Sequence, residues 1–143
     1  MKYFFAAIFT FFVFAGCNTT KSSTSTTELS ALEGTWQLTY ITGPRIAFEE
    51  LYPDNKPTIT FEIKKKKVVG NTTCNSFSLP LTAEGKKMNF DEPMTLTKMF
   101  CRGEAETIFL QNLKKVDRYD VFAGYTLSFF MGDVALMRFT KVK

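Results

Sequence analysis

A strict alternation of apolar and polar side chains limits what this chain can fold into. Thr35–Tyr40 alternates polar residues with Trp36, Leu38 and Tyr40, and Thr58–Ile63 repeats the pattern. A period of two places successive side chains on opposite faces of a β-strand, so each segment has one face to bury. The alternation predicts a fold built mostly from short antiparallel strands.

The same pattern continues along the rest of the chain, interrupted by turn signals such as Glu84-Gly85 and Gly132-Asp133. These signals separate short segments that are rich in β-branched and aromatic residues. The further predicted strands are Val68–Cys74, Phe77–Leu81, Lys87–Phe90, Met94–Thr97, Tyr119–Phe122, Tyr125–Phe130 and Val134–Thr140.

Glu104–Val116 is the one segment with a helical period. Its apolar side chains recur at three- and four-residue spacings, with acidic residues in the first turn and lysines in the last. That stripe and that charge order predict a single amphipathic helix at about residues 104–116. The predicted fold class is mainly β, a small antiparallel barrel or strongly curved sheet with this helix over an open end or one face.

Residues 1–16 have the composition of a lipoprotein signal peptide. Lys2 precedes an apolar stretch, and Phe14-Ala15-Gly16-Cys17 resembles the bacterial lipobox. The apolar stretch is shorter than the roughly 20 residues that a membrane-spanning helix needs. Simple secretion fits less well, because an ordinary signal peptide has a small residue at the third position before the cut, where this chain has Phe14. We therefore expect cleavage before Cys17 and acylation of that cysteine, with chains such as palmitate.

The remaining chain divides into a spacer and one domain. Residues 17–28 are expected to be the lipidated cysteine and a flexible tether rich in Ser and Thr, and residues 29–143 supply a single domain. The chain carries a net charge of +4. That balance is too mild to indicate a nucleic-acid partner, and we expect none.

The chain has three cysteines, an odd number for an exported protein. With Cys17 assigned to the lipid, Cys74 and Cys101 remain as an even pair. In an oxidising compartment, a disulfide between them would close a loop of roughly 28 residues and contribute about 3.5 kcal/mol on the chain-entropy model. Two buried free thiols are the alternative. No metal site is expected, because the chain has no histidine and no carboxylate cluster that replaces it.

The absence of histidine also excludes Ser-His and Cys-His nucleophile arrangements. Acid-base catalysis would then depend chiefly on carboxylates. The paired acids Glu49-Glu50 and Asp91-Glu92 fall near prolines in predicted loops, where adjacent acids usually mark a solvated turn. We expect neither enzyme activity nor a cofactor, and a hydrolase that uses Glu or Asp alone is the least favoured alternative.

Four motifs follow one another along the domain: Leu32–Leu38, Pro57–Phe61, Gly70–Phe77 and Thr97–Cys101. In order and spacing they resemble the signatures of the META domain, the family of HslJ-like proteins, and the resemblance extends from about residue 32 to residue 142. It implies an antiparallel, lipocalin-like barrel with one helix, often found in a bacterial envelope lipoprotein and associated with stress resistance, without an established catalytic activity. The family usually has a small residue, often Gly, where this chain has Thr73.

Residues of these motifs are candidates for a structural or binding role. Asn75 is expected to tie a turn through hydrogen bonds from its side chain to the backbone, with a ligand contact as the alternative. Trp36 is expected to plug the barrel floor, with ligand stacking as the alternative. The full candidate set is Gly34, Trp36, Gly70, Asn71, Asn75, Phe77, Thr97 and Met99.

Lys64–Lys67 is a run of four cations outside these motifs. It is expected to form the solvated tip of a hairpin. Contact of these lysines with anionic lipid headgroups or peptidoglycan is the alternative.

Together, the lipobox-like leader and the META resemblance imply a non-catalytic cell-envelope lipoprotein that supports stress or antibiotic tolerance through protein interactions in the periplasm. A barrel that binds a small hydrophobic ligand is the first alternative, because the many aromatic side chains could line a pocket. Expected partners are the lipid bilayer, through acylated Cys17, and envelope proteins. Asn18 rather than Asp follows the cysteine and no acidic residue precedes Glu28, so the periplasmic face of the outer membrane is the expected location.

Overall fold

The computed structural model describes residues 24–142 of the chain. The predicted signal peptide at residues 1–16, the predicted lipidation site Cys17 and the part of the predicted tether before residue 24 lie outside the described residues. Among the residues that are described, no helix combines the length and the apolar character needed to cross a bilayer.

Short strands are the main secondary structure of the described chain, accompanied by three α-helices. The helices are α1 Thr24–Leu32, α2 Phe48–Leu51 and α3 Ala105–Leu113, and one turn of 3-10 helix spans Ile63–Lys65. The strands are β1 Gly34–Ile41, β2 Thr58–Glu62, β3 Lys67–Asn71, β4 Ser76–Pro80, β5 Thr82–Glu84, β6 Lys87–Asn89, β7 Thr95–Leu96, β8 Arg118–Phe122, β9 Thr126–Met131 and β10 Val134–Lys141.

All the strands join in one antiparallel sheet, in the order β5-β6-β8-β9-β10-β1-β2-β3-β4-β7. β1 lies near the middle, where Trp36 opposes Lys141 of β10 on one side and Ile59 of β2 on the other. A bulge in β1 between Leu38 and Tyr40 bends the strand and increases its twist. The sheet curls into a half-barrel whose two edges, β5 and β7, are only three and two residues long. Short edges limit pairing with other chains.

The inward face of the sheet carries the hydrophobic core. Phe129 lies at its centre, with ring centroids 5.1 Å from Phe139, 5.4 Å from Phe90 and 6.4 Å from Phe61. Tilted and edge-to-face pairs at this spacing are favourable beyond the area they bury. The interior is filled by these rings and their neighbours, which are 0 to 3% exposed, so a ligand inside the barrel would have to displace them.

The register divides the sheet into two ends. The entry end is where the chain enters β1 at Gly34, and it also holds the β2–β3 and β8–β9 turns. The disulfide end, at the opposite end of β1, holds the β3–β4 turn and Cys74. α1 lies at the entry end, where the Leu32 carbonyl accepts a hydrogen bond from Trp36 Nε1 at 2.7 Å. α3 covers the disulfide end and buries Phe109.

A charged cluster attaches α1 to the sheet at the entry end. Lys86 Nζ lies 2.5 Å from the Asp120 carboxylate and 3.8 Å from the carboxylate of Glu28 in α1. The nearby Tyr119 hydroxyl is buried and has no hydrogen-bond partner among the described residues. Burial, with the negative charges of Glu28 and Asp120, raises the pKa of Tyr119 to about 12, so this phenol stays neutral at physiological pH.

The fold class predicted from the sequence is confirmed, and the predicted helix at about 104–116 is present as α3. The prediction that it would be the only helix is wrong, because α1 and α2 also form. α1 occupies residues 24–32, and its first five residues fall in the stretch 17–28 that was expected to be a flexible tether. Its Ser- and Thr-rich sequence carries little apolar periodicity, and burial of Leu32 and the Trp36 contact hold it. α2 is a single turn, too short to show a period.

Two strand predictions also differ from the structure. β3 ends at Asn71 rather than Cys74, because the chain turns over residues 72–75 to enter β4. β5 was not predicted, since three residues are too few to show an alternation.

Gly70 marks a close approach between neighbouring strands. It lies in β3 opposite Ile59 and Phe77. A Cβ at this position would meet the Thr58 carbonyl oxygen at 2.3 Å and the Phe77 ring at 2.5 Å. The missing side chain therefore lets the Phe77 ring cover the strand, and any larger residue forces β2, β3 or the ring to move.

We expect Gly70→Ala to lower the free energy of unfolding by about 3 kcal/mol, because it overpacks a site bounded by backbone. Gly43→Ala is the matched control: Gly43 has a φ of +102° but no atom within 4 Å of a built Cβ, so only backbone strain of about 1 kcal/mol is added. Urea denaturation of both variants measures the difference. Equal losses would show that the contact with Phe77 does not matter.

Candidate functional site

The β3–β4 turn is joined covalently to the segment that precedes α3. Cys74 and Cys101 form a disulfide with Cα atoms 5.9 Å apart, so the pairing expected from the cysteine count is confirmed and the free-thiol alternative is not. The bond closes a loop of roughly 28 residues, which contributes about 3.5 kcal/mol on the chain-entropy model. It fixes the position at which the chain leaves β7 and approaches α3.

Asn75 makes most of the polar contacts around this disulfide. Its side-chain Oδ1 accepts hydrogen bonds from the Thr97 hydroxyl and the Met99 amide, both at 2.8 Å. Its Nδ2 donates to the Met99 carbonyl and to Glu106 Oε1, both at 3.2 Å, and lies 3.0 Å from Cys101 Sγ. Asn75 is only 1% exposed, so its amide is used inside the protein rather than presented to a ligand.

Thr72 and Glu106 complete this buried polar cluster. The backbone N–H of Thr72 donates to the Asn75 carbonyl at 2.8 Å, and the Asn75 N–H donates to the Thr72 hydroxyl at 3.1 Å. The Thr72 hydroxyl also hydrogen-bonds the Glu106 carboxylate, although Thr72 is fully buried. Glu106 lies in the first turn of α3 and so ties that helix to the β3–β4 turn.

Tyr52 supports the start of α3 from the other side. Its hydroxyl donates to the Ala105 carbonyl at 3.1 Å. Burial raises the pKa of Tyr52 well above its ordinary value, so the hydroxyl keeps the proton that it donates. Asn75 and the disulfide hold the chain at Met99 and Cys101, and Tyr52 holds it at Ala105.

Thr73 adopts a backbone conformation that suits glycine. Its φ is +99°, a region that a β-branched residue reaches only with strain. The Asn71 side chain stabilises the turn by accepting a hydrogen bond from the Thr73 N–H at 2.7 Å. Glycine, the residue that the resemblance leads one to expect here, would adopt this conformation without strain.

The segment held by these contacts exposes two apolar side chains, Met99 and Phe100, which are 63% and 89% exposed. Lys98 and Arg102, on either side of them, are exposed as well. We call residues Lys98–Arg102 the Phe100 loop. Its backbone is fixed at Met99 by both Asn75 contacts and at Cys101 by the disulfide. The result is an apolar projection between two cations on a rigid base.

The structure gathers some of the predicted motif residues and separates others. Asn71, Asn75, Thr97 and Met99 meet around the disulfide, with Gly70 and Phe77 just behind them in β3 and β4. Gly34 and Trp36 lie at the entry end instead. Trp36 is fully buried and its Nε1 is bonded to Leu32, so its ring plugs this end.

Three residues of the disulfide end were not identified as candidates from the sequence. Thr72 and Glu106 were read as part of a strand and as a helix-dipole charge, and only the fold shows that they meet. Phe100 could have been found, because an apolar Met-Phe pair between Lys98 and Arg102 interrupts a predicted loop. An isolated exposed apolar residue is common, but two adjacent ones held rigidly are not.

The described residues offer no metal site beside this cluster. Within residues 24–142, no three His, Cys, Asp or Glu side chains come together as a metal site. The paired acids considered for hydrolysis, Glu49-Glu50 and Asp91-Glu92, are exposed to solvent. Grooves on the surface include one of about 490 Å³ beside Ser76 and Thr97, which is lined mainly by small residues.

Comparison with known proteins agrees with this architecture. A family model described as META domain matches residues 27–143. A protein from Burkholderia xenovorans solved by NMR is similar in structure, with a TM-score of 0.62 and 17% identity over 82% of this chain and 88% of that one. A DUF4847 family protein from Bacteroides vulgatus gives a TM-score of 0.57 and 15% identity over 82% and 98% of the two chains. At such identities the two structures show the fold alone. No curated protein matches the chain.

We expect Thr73→Gly to stabilise the domain by about 1 kcal/mol, since it removes the strain at φ +99° and loses only part of that gain to unfolded-chain entropy. Thr73→Ala is the control, because it keeps a Cβ and therefore most of the strain. Thermal and urea unfolding compare the three proteins. A Gly variant no more stable than the Ala variant would contradict the strain argument.

We expect Asn75→Ala to loosen the Phe100 loop and to destabilise the domain by about 3 kcal/mol, because it leaves several buried partners unsatisfied. Limited trypsin digestion should then cut after Lys98 at least ten-fold faster. Asn112→Ala is the matched control: this buried Asn donates to the Thr42 and Ile108 carbonyls, away from the loop. Faster cleavage in both variants alike would mean that Asn75 has no special hold on the loop.

Proposed function

This chain belongs to the META domain family, and from that premise we propose that it is a lipid-anchored envelope protein that binds another envelope protein through the Phe100 loop. The META domain is not a known enzyme family, which agrees with a role in binding rather than catalysis. The single observation that carries the proposal is the contrast between an 89% exposed phenylalanine and the buried, fully bonded base on which it stands.

A rigid apolar projection is suited to binding a protein. Burying a phenylalanine or a methionine in a partner's pocket contributes roughly 1.5–3 kcal/mol for each side chain. A loop already fixed by a disulfide and by Asn75 loses little conformational entropy when it binds, so more of that energy appears as affinity. Lys98 and Arg102 favour a partner whose pocket for the Phe100 ring has an acidic rim.

The cellular part of the proposal comes from the sequence. The lipobox-like run before Cys17 supports acylation there, and the absence of an early acidic residue supports the periplasmic face of the outer membrane. The resemblance to HslJ-like proteins supports a contribution to stress or antibiotic tolerance. An anchored protein of this kind would act on partners within reach of its tether.

The two alternatives are less well supported by the geometry. A carrier of small hydrophobic ligands needs interior space, and the barrel is filled by aromatic rings packed on Phe129. A carboxylate-dependent hydrolase needs two acids held in a sheltered site. The half-buried Glu106 is instead engaged by Thr72 and Asn75, in contacts that tie a helix to a turn.

Photo-crosslinking in intact cells tests the protein-binding role. A photoreactive phenylalanine analogue at position 100 should yield one specific protein adduct. The same analogue at Val134, which is 54% exposed and begins β10 at the same end of the sheet, is the matched control. A loop that gives no adduct above the Val134 control would contradict the proposal.

The loop can be separated from folding in a second arm of this experiment. With the analogue at Met99, Phe100→Ser should remove most of the adduct while leaving the melting temperature nearly unchanged, because surface substitutions seldom alter stability by more than about 0.5 kcal/mol. An unchanged adduct in this variant would show that the phenylalanine ring is not the binding group.

A further inference from the structure

The entry end carries a second exposed surface, opposite the Phe100 loop. The register brings two turns to this end, Lys64–Lys67 between β2 and β3 and Phe122–Tyr125 between β8 and β9. Two strands, β10 and β1, lie between these hairpins in the sheet. At about 4.8 Å per strand the two turns are roughly 20 Å apart around the curve.

The first of these turns is basic. All four lysines of Lys64–Lys67 are exposed, and Lys65 is paired with Glu62 at 2.9 Å. Lys141 adds a cation near the second turn, where its backbone N–H donates to the Tyr125 carbonyl. The acids at this end are mostly engaged within the protein. Glu33 accepts the Ile63 N–H, Glu28 and Asp120 lie against Lys86, and Glu84 is exposed.

The second turn is apolar and aromatic. Phe122 is 50% exposed, Tyr125 is 60% exposed, and Val142, beside them, is 48% exposed. The Val142 N–H donates to the Thr35 carbonyl, which keeps residue 142 at this surface. Aromatic side chains with a polar rim suit the boundary between lipid headgroups and acyl chains, where one part of the ring is apolar and the rest is wet.

The chain enters the domain at this same end. α1 is held there by the contacts of Glu28 with Lys86 and of Leu32 with Trp36. Residues 17–23 precede it, and seven residues span at most about 25 Å. An acylated Cys17 would therefore keep the entry end within reach of the bilayer. The reach of the tether rests on the proposed anchoring at Cys17, whereas the argument from the basic and aromatic turns does not.

We infer that the entry end is a membrane-contact surface that takes anionic phospholipid. The Lys64–Lys67 turn meets the negatively charged headgroups, and Phe122 and Tyr125 enter the headgroup boundary. With this end against the membrane, the Phe100 loop points away from the bilayer, toward the space where soluble or differently anchored partners are found. The two ends of the half-barrel thus have different roles.

Lipid crosslinking on the full chain, processed and anchored in its own membranes, tests this orientation. A photoreactive phenylalanine analogue at position 122 or 125 should yield phospholipid adducts at least five-fold above the same analogue at position 131 or 134, on the opposite end. Met131 and Val134 are matched controls, since they are 44% and 54% exposed on the two sides of a hairpin turn. Equal lipid yields at the two ends, or protein adducts alone at 122 and 125, would overturn the inference.

Charge is tested in the same assay. Replacing all four lysines of Lys64–Lys67 by Gln should reduce the lipid adducts at position 122 at least three-fold. The control replaces Lys114 and Lys115, two exposed lysines just after α3, by Gln and should not reduce them. Equal effects of the two substitutions would overturn the role of the basic turn.

Acylation is read separately, from the mass of the N-terminal peptide of each preparation. Lipid adducts at position 122 without acylation would support the membrane-contact surface and contradict the proposed anchoring at Cys17. Acylation without such adducts would support the proposed anchoring and overturn the inference that the entry end contacts the membrane.

Discussion

The hydrogen-bonded amide of Asn75 is the interaction on which the disulfide end depends. One side chain accepts from Thr97 and Met99 and donates to Met99 and Glu106, so it joins the β3–β4 turn, the segment after β7 and the start of α3. Each such bond contributes only about 1 kcal/mol in net terms, but leaving its buried partners unpaired costs more than that. The disulfide beside it restricts the unfolded chain, whereas Asn75 fixes the direction of the folded loop.

This arrangement explains why an apolar loop can remain exposed. Phe100 gains nothing from the core, and a flexible loop carrying it would tend to collapse onto other apolar surface. Asn75 and Cys101 hold the backbone on both sides of the ring, so it stays in solvent, where a partner can bury it. The strained φ of Thr73 lies in the same turn, two residues before Asn75.

The sequence predicted the sheet well and the helices less well, for physical reasons. Strands such as β1 and β2 have one buried face, so apolar residues such as Trp36 and Ile59 alternate with polar ones in the sequence. α1 has no comparable apolar periodicity, because its stability comes from tertiary contacts that no local pattern shows. About half of the candidate site could be predicted from the sequence. The cysteines and Asn75 lie in recognisable motifs, but the meeting of Thr72 with Glu106 depends on how the helix packs over the barrel end.

The two ends of the half-barrel give the proposals a common geometry, with a lysine-rich and aromatic surface at the entry end and a rigid apolar loop at the other. The account requires the loop to be rigid, and amide hydrogen exchange at Met99 measures that most directly. Met99 is 63% exposed, yet its N–H donates to Asn75 Oδ1 at 2.8 Å. We predict that this amide exchanges at least a hundred-fold more slowly than an unprotected loop amide. Exchange at the unprotected rate would contradict the central claim that Asn75 holds the Phe100 loop.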